Sequence, residues 1–179
     1  MKPLKEFTIQ FVGLKVGEHH FDYQIDKKFF EYFEFEDFND SSIKAEIVLD
    51  KKQTLLEFDF KISGTINVNC DLSNEPFNQE IFDEFQLVVK FGQEYNDDNE
   101  EILIIPHGEY EINIAQYIYE LVVLAVPSKL IHPGIKDGTL KSDILSKLEE
   151  LSPKSLEEKE NTEEMDPRWN TLKKLLTDK

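Results

Sequence analysis

Hydrophobic positions alternate with polar ones over much of the chain's first three-fifths, the signature of half-buried strands. Phe7, Ile9 and Phe11 alternate first. Ile43, Ala45, Ile47 and Leu49 then form one run, and Leu56, Phe58, Phe60 and Ile62 a second. Between them lies Asp50-Lys51-Lys52-Gln53, a hairpin connection that predicts antiparallel pairing of the two runs. Gly64 interrupts the second run, and a bulge or bend is expected there before Ile66 and Val68 continue it. Another strand is predicted from Phe85 to Phe91, and a short apolar one from Ile102 to Ile105. The acidic stretch Glu94 to Glu101 between them reads as a solvated, mobile loop. Around Phe29 to Phe38 the period is ambiguous and fits a short helix or a loop pinned by aromatics.

After Pro106 the period changes. Ile114, Ile118, Leu121, Val122 and Ala125 form a helical stripe that Asn113 can cap and Pro127 ends. Lys129 to Gly138 reads as a turn-rich connection, and a second helix is predicted over Ser142 to Leu151. Strands followed by helices, without alternation, indicate an α+β fold built on an antiparallel β-sheet or partly open barrel, with C-terminal helices and a tethered terminal helix.

Residues 152–164 contain almost no apolar side chain and cannot bury enough surface to fold alone, so they read as an acidic flexible linker after a core domain of residues 1–151. Residues 165–179 read as a C-terminal docking helix. Asp166 can cap it, Pro167 suits its first turn, and Trp169, Leu172, Leu175 and Leu176 share one face. This helix either folds back on its own domain or docks on a partner, with Arg168 and the chain's only tryptophan as anchoring residue types.

The charge narrows the function classes. Of 179 residues, 37 are acidic and 20 basic, a formal charge of −17. Such a chain is repelled by nucleic-acid phosphates and anionic membrane, and suits a basic protein partner. The N-terminus lacks the apolar core of a signal peptide, and the longest apolar run, Leu121 to Val126, is too short to span a bilayer, so a cytoplasmic location is expected. Catalytic chemistry finds little support. Cys70 is the only thiol, the seven glycines are dispersed without a phosphate loop, and no serine sits in a nucleophile elbow. His19 and His20 lie in a predicted loop, where adjacent side chains point opposite ways and make a poor metal pair. No cofactor or metal is expected.

Three separated pieces carry a resemblance. Gly64 to Leu72 leads through Cys70 to Glu75-Pro76-Phe77; Ile112 to Pro127 contains Glu120 and a leucine-rich run, with His132 following; Asp166-Pro167-Arg168-Trp169 with Leu172 comes last. In this order they resemble the YceD family, the large ribosomal RNA subunit accumulation proteins, from about residue 60 onward. The resemblance implies a non-enzymatic role in large-subunit biogenesis, with a basic large-subunit ribosomal protein or a pre-ribosomal particle as partner. Two alternatives are direct contact with ribosomal RNA and, further off, an RNA-processing hydrolase. Cys70, Glu120, Pro127 and His132 are the family-motif positions, and Asp166, Pro167, Arg168, Trp169 and Leu172 the partner-binding ones. The family often carries Cys-x-x-Cys where this chain has Cys70 and Ser73. One thiolate cannot hold a structural metal, so a zinc or redox role does not carry over.

Overall fold

The hairpin joining the two alternating runs lies at the centre of the molecule. In the computed structural model, which describes residues 4–140 and 143–151, β3 (Asp40–Lys51) and β4 (Leu55–Asn69) pair antiparallel, with Ile47 opposite Phe60 and Leu49 opposite Phe58. On the outer flank of β3 lies β2 (Gly17–Asp26), and on the other side of β4 lies β5 (Pro76–Gly92), both antiparallel. Two further strands, β6 (Asn96–Asn99) and β7 (Ile102–Pro106), complete a six-stranded sheet of order β2-β3-β4-β5-β7-β6. A small separate pair joins β1 (Thr8–Ile9) to β8 (Ile112–Asn113).

The fold is α+β, and its sheet is open. The expected α+β fold on a largely antiparallel sheet is the one found, and the sheet is not closed into a barrel, because β2 and β6 end it on opposite sides without pairing. The sheet is also mixed: β7 pairs parallel to β5, with Val88 opposite Ile102. The chain leaves β5, forms β6 at the edge, and returns as β7 in between.

One face of the sheet is the core. Alternation places Ile43, Ile47, Leu49, Leu56, Phe58, Phe60, Ile62, Leu87 and Val89 on it, all buried. The helices cover that face. In α1 (Lys27–Tyr32), Asp26 caps the first turn by accepting from the Lys28 amide at 3.0 Å, and Phe29 and Phe30 turn inward. In α2 (Ala115–Leu124), Ile118, Leu121 and Val122 are buried, and Asn113 accepts from the Ala115 amide at 3.1 Å. The two helical regions meet through stacked rings of Phe33 and Tyr119, with centroids 4.4 Å apart. Two more helices follow, α3 (Pro133–Lys136) and α4 (Asp143–Leu151).

Several local expectations are corrected. His19 and His20 belong to β2, not to a loop; the signal was present in the alternation of His19, Phe21, Tyr23 and Ile25, diluted by the polar residues of an edge strand. The acidic stretch expected to be a loop contains β6, whose four residues are all exposed. Phe7 closes a 3₁₀ turn, and only Thr8–Ile9 pair as a strand, although Phe7, Ile9 and Phe11 are all buried. The connection after Lys129 folds into α3, opened by Pro133. At Gly64 there is no bulge: β3–β4 and β4–β5 pairing runs through it in register. The glycine is there for closeness, since a Cβ would sit 2.6 Å from Ile43 Cα.

Candidate functional site

Cys70 and His132 lie far apart in sequence and meet in one clasp. After β4, residues Cys70 to Glu75 turn the chain into β5. The Cys70 amide donates to Glu75 O at 2.9 Å, the Asn74 amide donates to Cys70 O at 2.8 Å, and Asn74 adopts φ +59°, which asparagine tolerates. The segment after α2 then docks on this turn. The Asp71 amide donates to Leu130 O at 2.8 Å, the Leu130 amide returns a bond to Asp71 Oδ2 at 2.8 Å, and the His132 amide donates to Cys70 Sγ at 3.2 Å. The His132 ring packs edge-on against Phe77, and its Nδ1 accepts from the Gly134 amide at 2.9 Å, capping α3.

Burial pushes the Cys70 thiol up, but donors from the His132 amide and from Ser73 and Leu72 favour the thiolate and leave it below its ordinary value. Cys70 is 2% exposed, and the arrangement ties the β4–β5 turn to the helical segment. Ser73, buried where the family often has its second cysteine, bonds to Cys70 and accepts from the Glu75 amide at 3.4 Å. Among the described residues no three His, Cys, Asp or Glu side chains are grouped to hold a metal ion. His107 stacks against Phe91, with ring centroids 6.3 Å apart.

Glu120 belongs to a different place. It lies exposed on α2, accepts from Gln116 Nε2 at 2.8 Å, and lines a groove of about 550 Å³ between α2 and the β6–β7 edge. Phe85, Leu103, Tyr117 and Leu121 line it together with Leu124, and Asp97, Glu100 and Glu120 contribute its carboxylates. Tyr117 stacks against Phe85 and leans on Phe60, which fixes that wall. Burial, and then the nearby Tyr95, Glu120 and Asp97, push the Tyr117 hydroxyl up to about 12. Pro127 follows the last turn of α2, between Leu124 of the groove and Leu130 of the clasp, and is itself not among the groove-lining residues.

The second distinctive surface is the sheet face opposite the core. Among the described residues no helix packs over it, and register places its side chains in rows. One row is Asp22, Glu46, Lys61 and Glu84; another runs Glu18, Asp50, Glu57, Val88 and Ile102. Carboxylates dominate it. Lys44 bridges Asp22 and Glu46, Lys52 bridges Asp50 and Glu57, and Lys61 pairs with Glu84 at 3.3 Å, so these cations are already engaged. Phe82, 68% exposed, stands among them opposite Ser63.

The structure therefore brings Cys70 and His132 together and leaves Glu120 and Pro127 apart from them. Asp166, Pro167, Arg168, Trp169 and Leu172 lie outside the described residues, as do the proposed linker and terminal helix. The groove residues Tyr95, Asp97 and Tyr117 were not singled out from sequence. Their signal was weak: an acidic run facing one flank of an amphipathic helix becomes a groove only through the parallel β5–β7 pairing. No helix among the described residues is long and apolar enough to cross a membrane.

Comparison with curated proteins returned no match, and neither did comparison with solved structures. Residues 58–176 match the family model described as large ribosomal RNA subunit accumulation protein YceD. That span covers most of β4, the cysteine turn, β5, α2 and the segment carrying His132, and extends through Trp169. With most of its length matched, the chain belongs to the YceD family of large ribosomal RNA subunit accumulation proteins.

Proposed function

We propose that this protein promotes accumulation of large-subunit ribosomal RNA in the cytoplasm without catalysing a reaction, by holding a basic ribosomal protein or assembly intermediate against its acidic surface. The observation that carries this reading is the sheet face left open opposite the core, where carboxylates outnumber lysines and Lys44, Lys52 and Lys61 are already bound to neighbouring acids. Such a face attracts a cationic partner and repels phosphate. A basic protein released from its carrier can then be delivered to RNA, whose higher charge density competes for it. The C-terminal segment, with Arg168 and Trp169 and its neighbours Asp166, Pro167 and Leu172, supplies an aromatic anchor beside the electrostatic contact.

Direct contact with ribosomal RNA has weaker support, since phosphate binding needs available cations and on this face Lys90 stands among many more carboxylates. The test is titration of the full chain with purified large-subunit proteins and, separately, with naked large-subunit RNA, at low and high salt. Retention of a basic large-subunit protein, weakened by salt, supports the proposal. Tight binding of naked RNA with a steep salt dependence overturns it.

A further inference from the structure

We propose that the groove between α2 and the β6–β7 edge docks an arginine-bearing, basic segment of a second protein, with an apolar neighbour of that arginine resting on Leu124. This rests on the functional reading above and names the place where a basic partner is fixed in register. The open sheet face gives attraction without shape, whereas the groove gives both.

Its volume, about 550 Å³, lies within the range of sites that hold a side chain with its flanking backbone. Carboxylates reach it from two separate elements, Asp97 and Glu100 from the β6 side and Glu120 from α2, and neither lysine nor arginine is among its lining residues. A cation entering it thus meets opposite charge from both sides. The wall is aromatic and held in place, because Tyr117 is stacked on Phe85. A flat guanidinium can stack on such rings while donating to the rim carboxylates, which an ammonium does less well. At the end of α2 Leu124 is 79% exposed, an apolar platform beside the charged rim. Tyr117, held protonated well above neutral pH, adds a neutral hydroxyl to the lining. Phosphate has no counterpart in this lining, so the charge argues for a polypeptide over RNA.

The test uses the full chain and a fluorescein-labelled peptide in which arginines alternate with leucines, read by fluorescence anisotropy at physiological salt. Glu100→Lys with Glu120→Lys reverses the rim, while Glu18→Lys with Glu80→Lys makes the same charge change on the exposed sheet face. The rim pair is expected to weaken binding about tenfold or more, and the sheet pair by about threefold at most. Leu124→Ser is expected to weaken the leucine-bearing peptide and to leave a glycine-for-leucine version unchanged. Equal losses from the two charge pairs overturn the site. So does a roughly tenfold gain in peptide affinity on Arg168→Ala with Trp169→Ala, which makes the chain's own C-terminal segment the occupant. A labelled single-stranded RNA that binds the unaltered chain more tightly than the peptide and displaces the peptide from it overturns it as well. Capture of a large-subunit protein that is insensitive to the rim pair removes the site and leaves the functional proposal standing. Rim-sensitive peptide binding without any large-subunit protein captured does the reverse.

Discussion

Replacing Gly64 with alanine should destabilise the protein sharply, and the geometry supplies the magnitude. Gly64 sits in β4 between Ile43 of β3 and Ile81 of β5, two buried core positions. A Cβ there would lie 2.6 Å from Ile43 Cα, 3.1 Å from Ser42 C, and closer still to Ser42 O. All three are backbone atoms in a strand paired on both sides, so no side chain can rotate away. Relief requires β3 and β4 to separate by most of an ångström. Overpacking of this kind costs about 1–3 kcal/mol. The backbone adds strain, because φ is +158°, at the limit of what an L-residue adopts. Against that, alanine restricts the unfolded chain and returns about 0.4–1 kcal/mol. With backbone strain of about 1 kcal/mol added, the net loss is about 1–4 kcal/mol, a fall in Tm of roughly 2–16 °C for a chain of this size. Gly108→Ala is the control, since nothing lies within 4 Å of its would-be Cβ. Calorimetry or circular dichroism on both variants decides it. A Gly64→Ala protein melting with the Gly108→Ala control would refute the close-approach reasoning.

Cys70→Ala should cost about 1–3 kcal/mol in urea unfolding, because it strips the acceptor from the His132 amide, and Cys70→Ser should lose less because its oxygen still accepts. The same burial predicts that iodoacetamide labels Cys70 only slowly in the native protein and rapidly once urea unfolds it. Tyr117 holds its proton more tightly folded than unfolded, so its stabilising effect is complete below pH 10 and is lost as pH rises towards about 12. Urea midpoints at pH 9 and pH 11 should therefore fall further for the wild type than for Tyr117→Phe. Lys51 donates from its ammonium to Phe11 O at 2.8 Å and Leu14 O at 2.9 Å. Lys51→Met should release that loop, seen as faster amide exchange around residues 12–16 while the β3–β4 amides stay protected.

The central hairpin was legible because its core is made by strict alternation. Ile43 to Leu49 and Leu56 to Ile62 each place every second side chain on one face, and a one-residue slip would expose them all. The α2 stripe was legible for the same reason at helical spacing. The order of strands beyond β5 was not, because a parallel partner is set by a return path and leaves no local signature. β7 reads as an apolar run whichever neighbour it takes, and β6, with only Asn and Asp, has no strand pattern at all. The edge strand β2 was hidden by its polar outward positions. At the candidate sites, Cys70 and His132 were visible as motif residues, but their contact depends on an amide bonding a sulfur 62 positions away, which residue identity does not encode. The groove needed both the sheet order and the placement of α2 to exist.

Under the proposed function, the open sheet face and the α2 groove would take two parts in one binding event, the face giving long-range attraction that salt weakens and the groove a short-range fit that survives it. The most direct measurement is affinity capture of the tagged full chain from its own cells at low and high salt, before and after RNase, with proteins and RNA both identified. The account predicts one basic large-subunit protein, recovered at low salt, reduced at high salt, and unchanged by RNase. Recovery that disappears with RNase, or that consists of large-subunit RNA without a basic protein, would contradict it.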